Sequence, residues 1–322
     1  MDAARPPGRR RLGIAFRIVI GVAVFAFVVL RDPDGLRRAI AGADPAWMAC
    51  ALSAMLAGLV VSALRWRAYL QALEIALPAP TLFRLYFAGT FFNAFLPTGV
   101  GGDAWKALRL SRGADSRAQA FASVFLDRFA GVMGLALLGF GGVIAELLRS
   151  DLDRSVAGLA IVLSAAILSA GSVLLLGGER LLGRGRMIRH DGIGGSVRRA
   201  MRAVTQAGRH PQAAARGYLL GIAFQAFVLL SHAAVARALG MRGVGVAGMA
   251  GVVVISSMAA LIPLTVNGLG FREAAYVWAL GTFDVATSQA RAFAVLFLTV
   301  LLATSVVGGI VYVARGGEVR DA

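Results

Sequence analysis

The sequence contains several uninterrupted apolar runs, each about as long as a lipid bilayer is thick. A helix rises about 1.5 Å per residue, so roughly 20 residues cross a hydrocarbon core of about 30 Å. In that core, helices satisfy their own backbone hydrogen bonds. The runs predict six full spans, at residues 12–30, 46–64, 118–148, 155–176, 217–239 and 291–314. The expected fold class is an all-α polytopic membrane protein.

The composition supports a membrane protein. The chain has 322 residues, of which 58% are hydrophobic and 16% charged, and its mean hydropathy is +0.74. A soluble chain of this length is far less apolar. The net charge of +16 would suggest nucleic-acid binding in a soluble domain. Here the arginines lie mainly between the apolar runs, where membrane topology explains them, so nucleic acid is not an expected partner.

The distribution of positive charge predicts the orientation. Segments rich in Lys and Arg favour the cytoplasm, which places both termini inside a bacterial inner membrane. We expect the basic segments at the following positions to be cytoplasmic: Arg65 and Arg67, residues 106–117 and 180–216, and Arg315 with Arg320. The chain then divides into a basic tail (1–11), one membrane domain (12–315) and a short tail (316–322).

The loop at residues 180–216 carries apolar residues at helical spacing. Val197, Met201 and Val204 would face one side of a helix, opposite several arginines. This pattern predicts an amphipathic helix lying on anionic lipid. A solvated loop whose arginines only set topology is the alternative.

Two stretches interrupt the apolar pattern in the same way. Residues 91–112 read FFNAFLPTGVGGDAWKALRLSR, and residues 261–276 read LIPLTVNGLGFREAAY. In each, a proline closes an apolar run, glycines follow, and charged residues open the next helix. The charge rule makes residues 82–97 enter from the cytoplasmic side and residues 246–280 from the outside. Such broken or re-entrant pairs are typical of an inverted-topology repeat, although ordinary spans with Pro and Gly near their ends would look similar.

These breaks supply the candidate binding residues. Irregular backbone in hydrocarbon must be covered by protein or line a water-filled cavity, and the N-terminus of a helix favours an anion. A charge at the bilayer centre costs about 3 kcal/mol unless it is paired or hydrated. The candidate substrate-binding residues lie at the breaks or are charges within apolar runs: Asn93, Pro97, Gly101, Gly102, Asp103, Lys106, Arg109, Asp127, Arg128, Asn267, Gly268, Gly270, Arg272 and Glu273.

Several candidates also have a purely structural interpretation. Asn93 and Asn267 would cap the freed backbone groups beside the breaks. Asp127 would pair with Arg272, or Arg128 with Glu273, to hold the bundle together. The histidines and the single Cys50 show no metal-ligand spacing, and no phosphate-binding G-x-x-x-x-G-K-[ST] motif is present, so neither a metal nor another cofactor is expected.

Taken together, these motifs resemble a known family. The two breaks, with LDRFAG around Asp127 and Arg128 between them, resemble the transmembrane flippase-like domain of lysylphosphatidylglycerol synthases and its stand-alone relatives. Lys106 stands where relatives often carry arginine after the Gly-Gly-Asp. The chain ends at Ala322, which leaves no room for the soluble aminoacyl-transferase domain, so we do not expect synthase activity.

The resemblance implies movement of an anionic, phosphate-bearing lipid or lipid-linked precursor between leaflets, rather than catalysis. Its stand-alone relatives have been linked with phospholipids, polyprenyl-phosphate sugars and hopanoids, and lipid-modifying enzymes or glycosyltransferases are expected partners. One alternative is a membrane-embedded lipid-phosphate transferase that uses Asp103 and Glu273 as metal ligands or as acid and base. Another is a non-catalytic partner that scaffolds lipid-modifying enzymes.

Overall fold

A computed structural model describes residues 33–95, 101–111, 117–147, 158–169, 210–261 and 265–314, together with residues 19, 22–23, 25–27 and 204. The regular structure of these residues is helical, which confirms the predicted all-α polytopic fold. The helices are α1 (Pro33–Ala41), α2 (Pro45–Ala72), α3 (Ala79–Phe95), α4 (Gly101–Leu110), α5 (Arg117–Leu147), α6 (Gly158–Ser169), α7 (Pro211–Ala238), α8 (Val246–Ala260), α9 (Phe271–Gly281) and α10 (Thr287–Val313), with a 3₁₀ turn at Val266–Gly268.

Some predictions fall wholly or partly outside the described residues. These are the two tails, Pro97, most of the span predicted at 12–30, part of the span predicted at 155–176, and most of the basic loop at 180–216.

Four of the described helices are long and apolar enough to cross a bilayer: α2, α5, α7 and α10. They correspond to four of the predicted spans. Local sequence explains two of their starts, because Pro45 and Pro211 each open a helix at a position where the missing N–H is not needed. Asp44 caps α2 by accepting a hydrogen bond from the Ala46 N–H at 2.8 Å.

Helix α2 runs further than the hydropathy pattern indicates. It continues to Ala72, so Arg65 and Arg67 lie on the helix. Arg65 is only 3% exposed. Arg65 therefore lies on the helix rather than in a loop, and the buried carboxylate of Asp127 neutralises it. The cytoplasmic location of this end of the helix stays a prediction.

Two pairs of shorter helices form antiparallel hairpins. Hairpin 1 (residues 79–110) consists of α3 and α4, and hairpin 2 (residues 246–281) consists of α8 and α9. Gly102 of α4 lies against Gly89 of α3, and Gly268 lies against Ala260 at the end of α8. Helices α4, α8 and α9 have 10, 15 and 11 residues, which gives about 15 to 22 Å of helix, too short for a bilayer core of about 30 Å.

The two hairpins start at opposite ends of the bundle. Hairpin 1 begins at the end where α2 stops at Ala72 and where α5 and α7 begin, and its Leu82 packs with Leu70 of α2. Hairpin 2 begins at the end where α7 stops and α10 begins. There the side-chain amide of Gln289 donates to the Leu239 carbonyl at 3.3 Å.

The order of elements repeats along the chain. Helix α2, hairpin 1 and α5 are followed, after α6, by α7, hairpin 2 and α10. Helices α2 and α7 both have 28 residues and pack antiparallel. Two equivalent units inserted from opposite ends agree with the predicted inverted-topology repeat.

Small residues allow the long helices to approach closely. Gly134 of α5 and Gly221 of α7 face each other, and a Cβ added to Gly134 would lie 2.6 Å from the carbonyl carbon of Gly221. Gly58 of α2 similarly lies against Phe227 of α7, where an added Cβ would be 3.1 Å from the phenylalanine Cβ. Close packing of this kind, rather than a hydrophobic driving force, holds helices together in lipid.

Candidate functional site

Six side chains from four helices form one network in the first repeat, which we call the ionic cluster. Arg65 comes from α2, Tyr86 from α3, Asp103 and Lys106 from α4, and Asp127 and Arg128 from α5. Hairpin 1 therefore joins the two long helices of its own repeat through charged groups.

The innermost part of the ionic cluster is centred on Asp127, which is 0% exposed. Arg65 Nε donates to Asp127 Oδ1 at 2.7 Å, and the Tyr86 hydroxyl donates to Oδ2 at 2.9 Å. The Arg65 guanidinium also lies 5.4 Å from the ring centroid of Phe224. Asp127 thus pairs with Arg65, and the suggested pairing with Arg272 is wrong.

Lys106 lies at the centre of the network and is 2% exposed. Its Nζ is 3.0 Å from Asp103 Oδ1 and 4.3 Å from the ring centroid of Tyr86. The Trp66 ring centroid is 5.3 Å away. A carboxylate and two ring faces thus compensate the buried ammonium group. Its aliphatic stem passes over Gly89, where a Cβ would meet the Lys106 Cδ at 2.7 Å.

Arg128 is the exposed member of the ionic cluster. Its Nε donates to Asp103 Oδ2 at 2.6 Å, yet 56% of its side chain is exposed, against 11% for the Asp103 side chain. Arg128 pairs with Asp103, so the suggested pairing with Glu273 is wrong. A partly exposed guanidinium directly after Asp127, well inside an apolar helix, needs water or an anion around it.

Asn93 closes the turn of hairpin 1. Its side-chain oxygen accepts hydrogen bonds from the Gly102 N–H at 2.8 Å and the Asp103 N–H at 3.2 Å. The capping interpretation of Asn93 is therefore confirmed. Gly102 has to be glycine, because a Cβ there would collide with the Gly89 carbonyl oxygen.

The turn of hairpin 2 is built differently. Asn267, Gly268 and Gly270 have φ angles of 53°, 73° and 88°, in the left-handed region that glycine adopts most readily. Glu273 Oε2 accepts from the Gly270 N–H at 2.6 Å, and its Oε1 accepts from Arg272 Nη2 at 2.8 Å. Both Arg272 and Glu273 are thus engaged within their own hairpin.

The second repeat places a neutral, aromatic cluster where the first has charges. Asp103 is the third residue of α4 and Glu273 is the third residue of α9. Three residues later stand Lys106 in α4 and Tyr276 in α9. Tyr276 is 1% exposed and packs with Phe293 at a ring-centroid distance of 5.2 Å.

His232 holds in α7 the place that Trp66 holds in α2. Its Nδ1 lies 2.8 Å from the Val228 carbonyl and its Nε2 lies 2.9 Å from the Tyr276 hydroxyl. The carbonyl accepts from Nδ1–H, so Nε2 accepts from the tyrosine, which is the pattern of a neutral imidazole. Phe297, in the place of Asp127, packs against this ring in a tilted arrangement, with the ring centroids 3.8 Å apart.

The two repeats therefore differ in charge. The ionic cluster contains one more cation than it has carboxylates, whereas Arg272 and Glu273 balance each other. Within the described residues, the excess positive charge of these clusters lies in the first repeat and faces outward at Arg128.

Not every predicted residue joins the ionic cluster. Arg109 is half-buried, with its guanidinium 5.7 Å from the ring centroid of Trp105. The sequence did not predict that Arg65 and Tyr86 belong to the ionic cluster. Apolar residues stand on both sides of Arg65, but the sequence does not indicate which carboxylate it faces.

Comparison with known proteins supports the resemblance. A family model described as the lysylphosphatidylglycerol synthase TM region matches residues 14–309. The chain belongs to this family. The lysylphosphatidylglycerol synthase TM family is membrane-embedded and lipid-related, which agrees with the apolar helices described above.

One relative is a UPF0104 membrane protein of Methanothermobacter thermautotrophicus. It is 29% identical to the chain over an alignment of 181 residues, and the match covers 52% of this chain and 53% of the relative. The match thus spans about half the length of that protein.

Proposed function

We propose that this protein moves an anionic, phosphate-bearing lipid or lipid-linked precursor between the leaflets of a bacterial inner membrane. The observation that carries the proposal is the ionic cluster, which has an excess cation and exposes Arg128 within a membrane-spanning helix. A phosphate group would supply the missing negative charge, and its acyl or prenyl chains would stay in the surrounding hydrocarbon.

Arg128 is the first contact for the headgroup in this proposal. A guanidinium and a phosphate form short, charge-assisted hydrogen bonds that are about twice as strong as neutral ones. Lys106 lies behind it, one carboxylate away, and adds positive potential without being exposed. The N-terminus of α4, which starts at Gly101, contributes a favourable dipole at the same place.

The hairpins supply the route. Because they begin at opposite ends of the bundle, their short helices enter it from opposite faces, and a headgroup passing between them would not cross a full thickness of hydrocarbon. Hairpin 2 contributes its Arg272 and Glu273 pair, which fixes the turn in place. The excess of Lys and Arg in the loops and tails favours a cytoplasmic location of both termini. Partner enzymes that make or use the lipid would act on that side.

Leaflet exchange in liposomes tests the proposal. Purified protein is reconstituted with fluorescent phosphatidylglycerol or phosphatidylcholine, and the label in the outer leaflet is bleached with dithionite. We expect exchange of phosphatidylglycerol and little exchange of the neutral lipid. Arg128→Gln should slow exchange roughly 10- to 100-fold, because a hydrogen bond to a charged group contributes about 1.5–3 kcal/mol and 1.4 kcal/mol is a factor of ten.

The matched control is Arg117→Gln, which removes an exposed arginine at the start of the same helix. It should behave as the unmodified protein. Equal exchange of both lipids, or equal rates in the two variants, would contradict a phosphate contact at Arg128. Mass spectrometry of the lipids before and after exchange separates transport from the transferase alternative, which requires a change in lipid mass.

A further inference from the structure

Asp103 occupies the position that an incoming anion would need. Its two carboxylate oxygens are divided between two cations, with Oδ1 3.0 Å from Lys106 Nζ and Oδ2 2.6 Å from Arg128 Nε. A bound phosphate would approach Arg128, the exposed cation, and would compete there with this carboxylate for the same guanidinium.

We propose that Asp103 acts as an internal substitute for the anionic headgroup, and that the headgroup binds by displacing it from Arg128. This inference rests on the proposed function. Asp103 then lowers the affinity of the site for the headgroup, so a lipid that binds is also released. Its displacement removes the ion pair between α4 of hairpin 1 and α5.

The distribution of the three residues over the fold gives the exchange a mechanical consequence. Asp103 and Lys106 both belong to α4, whereas Arg128 belongs to α5. The Asp103–Arg128 ion pair therefore ties hairpin 1 to a membrane-spanning helix. When an anion replaces the carboxylate on Arg128, Asp103 keeps Lys106 as its counter-ion, so neither charge on the hairpin is left unpaired.

The second repeat supports this assignment by contrast. Glu273, in the place of Asp103, accepts hydrogen bonds from the Gly270 N–H and from Arg272, and both partners belong to hairpin 2 or its turn. The described hydrogen bonds of Glu273 therefore all lie within hairpin 2. The ion pair that an anion can exchange is thus a feature of hairpin 1, and hairpin 2 is the fixed counterpart.

Binding of a soluble phosphatidylglycerol tests the competition. Titration calorimetry with dihexanoyl-phosphatidylglycerol is carried out on the full chain in a neutral detergent. Asp103→Asn keeps the shape of the side chain and removes its charge, and we expect it to bind at least about fivefold tighter, the lower end of typical couplings between two ligands. Asp284→Asn, the same change at an exposed carboxylate between α9 and α10, should bind as the unmodified protein does.

The double variant Asp103→Asn, Arg128→Gln decides whether the gain acts through Arg128. We expect it to lose the tighter binding. If Asp103→Asn binds phosphatidylglycerol equally or more weakly while the unmodified protein binds it well, the competition is wrong and the proposed function stands. If the unmodified protein binds phosphatidylglycerol no better than dihexanoyl-phosphatidylcholine, both are wrong.

A second measurement needs no substitution and so does not depend on the folding of a variant. Hydrogen–deuterium exchange of the α4 amides, residues 101–110, is compared with phosphatidylglycerol and with phosphatidylcholine. Release of Asp103 from Arg128 should raise exchange in α4 at least about threefold with the anionic lipid alone, whereas α9 should stay unchanged. Unchanged or slower exchange in α4 would show that the headgroup tightens hairpin 1, which overturns the proposal.

Discussion

The ion pair between Arg65 and Asp127 offers a sharp test of the ionic cluster. Arg65→Gln removes the cation and leaves Asp127, which is 0% exposed, with the Tyr86 hydroxyl as its remaining described partner. Breaking a buried ion pair by removing one partner destabilises a protein by about 3–5 kcal/mol, because the other charge stays buried. We expect a loss of free energy of unfolding in that range.

Arg67 provides the control on the same helix. It lies two residues further along α2 and is exposed. Exposed substitutions away from special features usually change stability by no more than about 0.5 kcal/mol. Arg67→Gln makes the identical chemical change and should therefore leave the free energy of unfolding nearly unaltered.

A double variant separates pairing from packing. In Arg65→Gln, Asp127→Asn both side chains are neutral and remain able to hydrogen-bond, so no charge is stranded. Replacing both members of a buried pair is far less damaging than removing one. We expect the double variant to be more stable than Arg65→Gln alone. Its loss should fall short of the summed losses of Arg65→Gln and Asp127→Asn by at least about 1.5 kcal/mol, a coupling energy within the usual range for contacting residues.

The assay is reversible unfolding in mixed micelles, with increasing SDS and helix content followed by circular dichroism. Two results would refute the reasoning. One is an Arg65→Gln variant as stable as Arg67→Gln. The other is a double variant whose loss equals the sum of the single losses, since the two groups would then not interact.

Two further predictions use the same assay. Gly102→Ala should lower the free energy of unfolding by at least about 2 kcal/mol, because its Cβ collides with the Gly89 carbonyl. The control Gly141→Ala, whose added Cβ meets nothing within 4 Å, should be neutral or stabilising by up to about 1 kcal/mol. Equal effects of the two substitutions would rule out close contact within hairpin 1. Tyr86→Phe should cost about 1.5–3 kcal/mol through the lost hydrogen bond to Asp127, and the absence of any loss would mean that this hydroxyl does not contact the carboxylate.

Much of the architecture follows from local sequence. The long helices can be predicted from the sequence because each must bury about 20 residues in lipid. Helices α2, α5, α7 and α10 lie where the apolar runs predict them. The hairpins are readable for the same reason, since proline and glycine interrupt the runs at residues 97–102 and 263–270. The helix ends are less accurate, because hydropathy stops at the first charge while a helix continues if that charge is paired.

The pairing of charges was not readable from the sequence. The candidate residues include three carboxylates and four cations, and hydropathy gives no information about which helix faces which. The suggested partners joined α5 to hairpin 2, whereas the structure joins α5 to α2 and to hairpin 1. Arg65 was assigned to the cytoplasm by a rule that treats arginine as a marker of loops. The structure shows instead that Arg65 lies on α2 and pairs with the buried Asp127.

The contrast between the repeats indicates what the ions are for. The second repeat packs a hairpin between two long helices with a hydrogen bond between uncharged groups and with tilted and edge-to-face ring contacts, at His232, Tyr276 and Phe297. The fold therefore forms this arrangement without charge. Buried ion pairs are often no more stabilising than apolar groups of similar volume, and each ion carries a desolvation penalty of several kcal/mol. Since the second repeat forms the same arrangement from uncharged groups, stability does not explain the ionic cluster, whereas the proposed binding of an anionic headgroup at Arg128 would explain it.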